Sequence, residues 1–132
     1  MIAIDTNVLV RYLAQDDPAQ SAIASRELKA ACSEDSPGFI SQIVLCELVW
    51  VLQRAYGYER AQIAKTLAGV LSTRTLHVEQ EALSWKALRA YERGRADFSD
   101  YLIGHTGMAH RADCTITFDE KAAEHPAFRL LS

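Results

Sequence analysis

Apolar residues recur at helical spacing along most of the chain, and short β-branched or alternating runs separate these stretches. Residues 2–5, Ile-Ala-Ile-Asp, read as a short buried strand that stops at a carboxylate. Thr6 and Asn7 then open a helix through Leu13, and Asp17-Pro18 combines an N-cap with a proline at the first helical position of a second helix over 18–31. The Ser-Glu-Asp-Ser-Pro-Gly segment at 33–38 is the one clear loop, followed by a strand at Phe39 and Ile40. Ser41 is placed to cap a strongly apolar helix over 42–55, ended by Gly57. An amphipathic helix over 59–71 turns Ile63, Leu67, Val70 and Leu71 inward. A third strand is expected at 75–78, then a helix over 79–93 with Trp85, Leu88 and Tyr91 facing in. After Gly94, Ser99 is expected to cap a helix over 100–110. A strand over 114–118 ends at Asp119, and 128–131 reads as an edge strand. Helices alternating with short strands predict an α/β layer fold with a mostly parallel sheet.

Length and composition narrow the possibilities. A chain of 132 residues is the size of one ordinary domain, so a single domain over 1–132 is expected. With 49% hydrophobic and 23% charged residues, six Gly and three Pro, the chain is neither disordered nor of low complexity. Its longest apolar run, 43–52, is broken by Glu47 and is far shorter than the roughly 20 residues of a membrane span. No secretory signal is visible, so a soluble, cytoplasmic protein is expected. Cys32, Cys46 and Cys114 are odd in number and lack CxxC spacing, which points to small buried hydrophobes rather than a disulfide framework or zinc ribbon. His77, His105, His110 and His125 have no zinc-like spacing and read as surface or packing residues.

Five acids stand out by position. In open parallel sheets, ligands bind beyond the carboxyl ends of the strands, where Asp5 and Asp119 are both expected to project. On a helix, Glu47 shares its face with Ile43, Val44, Trp50 and Val51, so it either reaches solvent at the rim, pairs with an Arg such as Arg54, or is a buried charge that needs a cation or a raised pKa. Asp97 and Asp100 flank the start of the helix near 100. Carboxylates in contact cannot all stay ionised. A hard divalent cation resolves the repulsion, and all-oxygen ligation suits Mg²⁺ or Mn²⁺ better than zinc.

The net charge of −3, from 14 Lys and Arg against 17 Asp and Glu, argues mildly against a nucleic-acid partner. Setting four site acids aside leaves the remainder slightly basic, and ten of the basic residues are Arg, the side chain suited to phosphate. Lys86, Arg89 and Arg93 recur on one helix face with Arg95 just beyond, and Arg11 follows the first acidic motif; all five are candidates for RNA contact.

The motifs Asp5-Thr6-Asn7-Val8-Leu9, Glu47 in the mid-chain helix, Asp97-Phe98-Ser99-Asp100-Tyr101-Leu102-Ile103 and Thr115-Ile116-Thr117-Phe118-Asp119 together resemble, in order and spacing, those of PIN-domain proteins, specifically the VapC-type toxins of bacterial toxin–antitoxin pairs. The resemblance implies a PIN-like three-layer α/β/α fold and a Mg²⁺- or Mn²⁺-dependent endoribonuclease neutralised by a small VapB-like antitoxin. It also implies that Asp5, Glu47, Asp100 and Asp119 are the catalytic, metal-binding acids, with Asp97 as an auxiliary acid and Thr6, Asn7 and Thr117 as supports. A homodimer is expected. Family members often carry Ala-Ala where this chain has Gly104-His105, a departure that bears on packing or access and leaves every acid intact. The competing reading is a non-catalytic PIN-like module that grips RNA or protein, for which four carboxylates have no use. A phosphoacceptor receiver domain is disfavoured because its mid-chain acid would end a strand rather than sit within a helix. An aspartyl phosphatase is disfavoured because Asn7 stands where its second acid belongs.

Overall fold

The computed structural model describes all of residues 1–132, which form two compact units, Met1–Glu79 and Gln80–Ser132. The first contains α1 (Thr6–Ala14), α2 (Pro18–Ala31), β1 (Gly38–Ile40), α3 (Gln42–Arg54), α4 (Arg60–Ser72) and β2 (Leu76–Val78). Its helices start where side chains satisfy the orphan amides of the first turn. Asp5 Oδ1 accepts from Thr6 N (2.8 Å), Asp17 Oδ1 from Gln20 N (3.0 Å) and Ser41 Oγ from Val44 N (3.1 Å). Glu59 and Gln62 form a capping box at α4. The core gathers Leu9 of α1, Leu45, Leu48 and Leu52 of α3, and Ile63 and Leu67 of α4, all fully buried. Each such side chain contributes roughly 1.5–3 kcal/mol relative to exposure.

The two strands of this unit pair in parallel, Gly38 opposite Leu76 and Ile40 opposite Val78. The expected strand at 2–5 is reduced to one parallel bridge, Ala3 to Phe39, with Ile4 N donating to Phe39 O (2.9 Å) and Phe39 N to Ile2 O (2.7 Å). It shortens because α1 begins at Thr6, one residue after the capping aspartate.

The second unit contains α5 (Glu81–Arg93), α6 (Phe98–Ala109), β3 (Thr115–Thr117), a 3₁₀ turn (Ala122–Glu124) and β4 (Phe128–Leu130). β3 and β4 also pair in parallel. The short parallel pairing expected of the α/β fold is present, but as two two-stranded sheets rather than one. α5 buries Ser84, Ala87, Leu88 and Tyr91, whereas Trp85, expected to face inward, is half-buried with the Arg89 guanidinium 6.0 Å from its ring centroid. α6 begins at Phe98, two residues before the expected start, and its N-cap is Asp97 rather than Ser99. The cause is local: Asp97 and Asp100 form a capping box, and Phe98 is fully buried edge-on to Tyr91, with ring centroids 6.1 Å apart. No helix is long and apolar enough to cross a membrane. The three cysteines are unpaired; Cys32 is buried as expected, while Cys46 and Cys114 are only half-buried.

Candidate active site

The first unit brings Asp5 and Glu47 to one residue, Thr6. Thr6 is 8% exposed; its amide donates to Asp5 Oδ1, and its hydroxyl donates to Glu47 Oε1 at 2.6 Å. Thr6, the first residue of α1, thereby reaches Glu47, 41 residues away in the sequence. Asp5, Thr6, Asn7 and Glu47 line one open pocket of about 480 Å³, with Arg11, Trp50 and Tyr56 on its wall.

Glu47 is not the buried charge that its neighbours suggested. It is exposed, because the opposite face of α3, formed by Leu45, Leu48, Val49 and Leu52, enters the core. Ile43 (74% exposed) and Trp50 (55%) flank it in solvent, so the face is apolar without being dry. Arg54 does not pair with Glu47 in an ion bridge; its guanidinium lies 4.7 Å over the Trp50 ring. Arg11 is held locally: Nη1 donates to Asp16 (3.2 Å) and to the Tyr56 hydroxyl (2.9 Å), and Nε donates to Gln20 (2.7 Å).

The second unit carries the other acids. In the capping box, Asp97 N donates to Asp100 Oδ2 at 3.2 Å, so Asp97 is fixed at the helix start rather than free in a loop. Burial pushes the Asp100 carboxyl above its ordinary value; the hydrogen bond from Asp97 pulls it down, and the charges of Asp97 and Asp119 raise it further. Asp119 is exposed just beyond β3. Its amide donates to Thr117 Oγ1 (3.0 Å), and its Oδ1 accepts from Ala122 N (2.9 Å). Thr117 therefore supports Asp119 through the backbone. On the strand that leads to Asp119, Ile116 (56% exposed) and Phe118 (79%) face out.

No three His, Cys, Asp or Glu side chains anywhere in the chain stand close enough to form a ready-made metal cage. The donors nonetheless fit a hard cation by chemistry. Every acid of the set is an oxygen donor, and Asp100 is destabilised as an anion by Asp97 and Asp119, a repulsion that a divalent ion relieves.

Of the basic candidates, Arg95 is spent on Glu124, with both guanidinium arms donating to that carboxylate. Lys86, Arg89 and Arg93 are exposed and line a second pocket of about 520 Å³. Sequence reasoning set aside His105 and His125, yet both line this pocket, with ring centroids 5.1 Å apart. The visible signal was the Gly104-His105 departure. A Cβ on Gly104 would meet the Phe128 ring at 2.7 Å, so the glycine admits Phe128 against α6, and His105, one residue on, reaches His125.

Comparison with known proteins agrees with the motifs. The chain is 24% identical over 102 residues, 77% of this chain and 75% of the other, to a VapC ribonuclease from Aquifex aeolicus (strain VF5). The model of the PIN domain matches residues 2–127, nearly the whole sequence and both units, and the chain belongs to the PIN domain family.

Proposed function

We propose that this protein is a Mg²⁺- or Mn²⁺-dependent endoribonuclease of the VapC type, acting in the cytoplasm as the toxin of a type II toxin–antitoxin pair. Asp5, Glu47, Asp100 and Asp119 are its metal-binding and catalytic carboxylates, Asp97 is an auxiliary acid, and residues 1–132 act as one domain. The observation that carries the reading is the pair of hydrogen bonds that Thr6 donates, from its amide to Asp5 and from its hydroxyl to Glu47, at an open pocket, in a chain of the PIN family.

When bound, the cation supplies Lewis-acid stabilisation of the scissile phosphate and lowers the pKa of a water nucleophile. The protein's part is to orient oxygen donors. Thr6 aims Asp5 and Glu47 from a buried position. The capping box holds Asp97 and Asp100 at the start of α6. Thr117 and Ala122 hold Asp119 from its two sides in sequence. Asn7 lines the Asp5–Glu47 pocket as a neutral polar neighbour. Lys86, Arg89 and Arg93 offer positive charge to the RNA backbone.

The protein partners are a small VapB-like antitoxin and a second copy of this chain. The exposed Ile43 and Trp50 of α3 offer apolar area that such a partner would cover. A cleavage assay on mixed RNA tests the function. The wild type should cut with Mg²⁺ or Mn²⁺ and not with chelator, and Asp5→Asn, which retains a helix N-cap, should be folded and inactive. Undiminished cleavage by folded, uncontaminated Asp5→Asn would overturn the metal-site assignment, and RNA binding without metal-dependent cleavage would favour a non-catalytic module.

A further inference from the structure

The 520 Å³ pocket of the second unit falls within the size of small-molecule sites, about 300–1,000 Å³, and it differs in character on its two sides. One side is the edge of α5, where Lys86, Arg89 and Arg93 are exposed. None of them enters an ion bridge, unlike Arg11 with Asp16, Arg74 with Glu34 and Arg95 with Glu124. Glu124 is the one carboxylate lining the pocket, and Arg95 neutralises it. The wall therefore presents uncompensated cations.

The other side is made of rings. His105 and His125 meet nearly edge to face at 5.1 Å, and Tyr101 lies 5.6 Å from His125. Burial holds both imidazoles below their ordinary pKa, and His105 is lowered further by His125 and Lys86. They thus contribute uncharged ring surface at neutral pH. His125 Nδ1 accepts from Ala127 N at 3.1 Å, which puts the ring proton on Nε2. Tyr101 is pinned by Ala96 N donating to its hydroxyl (3.1 Å), and Gly94 leaves it room, since a Cβ there would lie 1.9 Å from the hydroxyl oxygen.

Cations beside aromatic surface are how proteins take single-stranded nucleic acid: phosphates pair with the charges while bases stack on the rings. We propose that this pocket is a nucleotide subsite, in which one base of the RNA stacks on the His105 ring, braced edge to face by His125, and its adjoining phosphates pair with Arg89 and Arg93. The proposal rests on the RNA-cleaving reading and extends it to residues other than the carboxylates. An acidic peptide would use the cations but leave the ring floor without a partner.

The test is binding of a fluorescent single-stranded RNA octamer to the full chain in chelator, followed by anisotropy. Arg89→Ala/Arg93→Ala should weaken binding tenfold or more and reduce the slope of log affinity against log salt by about 1.4, two phosphates at roughly 0.7 each. His105→Ala places in this chain a residue common in the family; it should weaken RNA binding about fivefold or more while leaving an abasic octamer of equal charge unaffected. Competition by adenosine monophosphate at millimolar concentration would assign the pocket to a free nucleotide end. Competition by RNA alone would assign it to an internal nucleotide, and both agree with the proposal. Unchanged RNA affinity in the double Arg variant, equal losses for both octamers in His105→Ala, or a polyglutamate peptide competing as well as RNA would overturn it. Because chelator suppresses cleavage, an inactive enzyme would leave this result readable, and an active enzyme with unaltered binding would refute the subsite alone.

Discussion

Gly104→Ala puts two sizeable effects in opposition, and the structure says which wins. Gly104 lies inside α6, where alanine is favoured over glycine by about 0.8–1 kcal/mol. The new methyl, however, would stand 2.7 Å and 3.0 Å from two atoms of the Phe128 ring and 3.3 Å from Ala127 Cβ. Overpacking of this kind costs about 1–3 kcal/mol, because the ring is a rigid plate seated between α6 and His125, whose centroid is 6.4 Å away. The balance is a net loss of about 1 kcal/mol, or roughly 4 °C in Tm for a chain of this length. Urea denaturation monitored by circular dichroism should show a lower midpoint with an unchanged m-value. In a Phe128→Leu background the obstructing ring is gone, and the same substitution should become neutral or stabilising. A Gly104→Ala protein that gains about 1 kcal/mol in the wild-type background would show that helix propensity alone governs the site and would refute the packing argument.

Three further expectations follow from the same geometry. Thr6→Val keeps the shape but removes the bond to Glu47; since Glu47 is exposed and can rehydrate, stability should fall by no more than about 1 kcal/mol, while RNA cleavage drops sharply and Thr6→Ser restores it. Equal activity in Thr6→Val would show that Glu47 needs no positioning. Asp100 has a folded-state pKa raised above its ordinary value, so its contribution to stability is present at low pH and is lost as pH rises through that value; Asp100→Asn should therefore raise the metal-free Tm at pH 7 and not below about pH 3.9, and a fall at pH 7 would make Asp100 a structural anchor. His105 is shifted the other way, so the stability tied to its neutral form is complete above its ordinary 6.5 and is lost as pH falls below it through the folded value; His105→Ala should flatten Tm against pH in that window, and an unchanged profile would contradict the buried imidazole.

Helix limits were legible wherever a cap was chemically distinct. Asp17-Pro18 and Ser41 marked the starts of α2 and α3 because their side chains hydrogen-bond the first-turn amides. At α6 two caps competed in the sequence, and the pair Asp97 and Asp100 prevailed over Ser99 because it satisfies amides in both directions and buries Phe98. Glu47 shows a different limit. α3 is apolar nearly all round, so periodicity grouped Ile43, Val44, Trp50 and Val51 with Glu47 but could not say which face the core would take. Ile116 and Phe118 likewise alternate as a buried strand would, yet face out. Motif order pointed to the proposed acids, whereas the residues that hold them were only partly visible. Thr6 and Thr117 stood inside the motifs, but the tie from Thr6 to Glu47 spans 41 residues. The His105–His125 contact depends on Phe128 settling against Gly104, a tertiary event with no local signature.

The central claim is that the acids of this chain hold a divalent ion used to cut RNA. Its most direct measurement is the single-turnover cleavage rate of one defined RNA as a function of Mn²⁺ concentration, for the wild type, Asp100→Asn and Asp97→Asn, each checked for folding. Asp100 feels the charge of both Asp97 and Asp119, so Asp100→Asn should abolish cleavage at every concentration, while Asp97→Asn, whose amide can still cap α6, should cut more slowly with a half-saturating Mn²⁺ concentration near that of the wild type. A wild-type rate independent of Mn²⁺ and insensitive to chelator, or full activity in folded Asp100→Asn, would contradict the account.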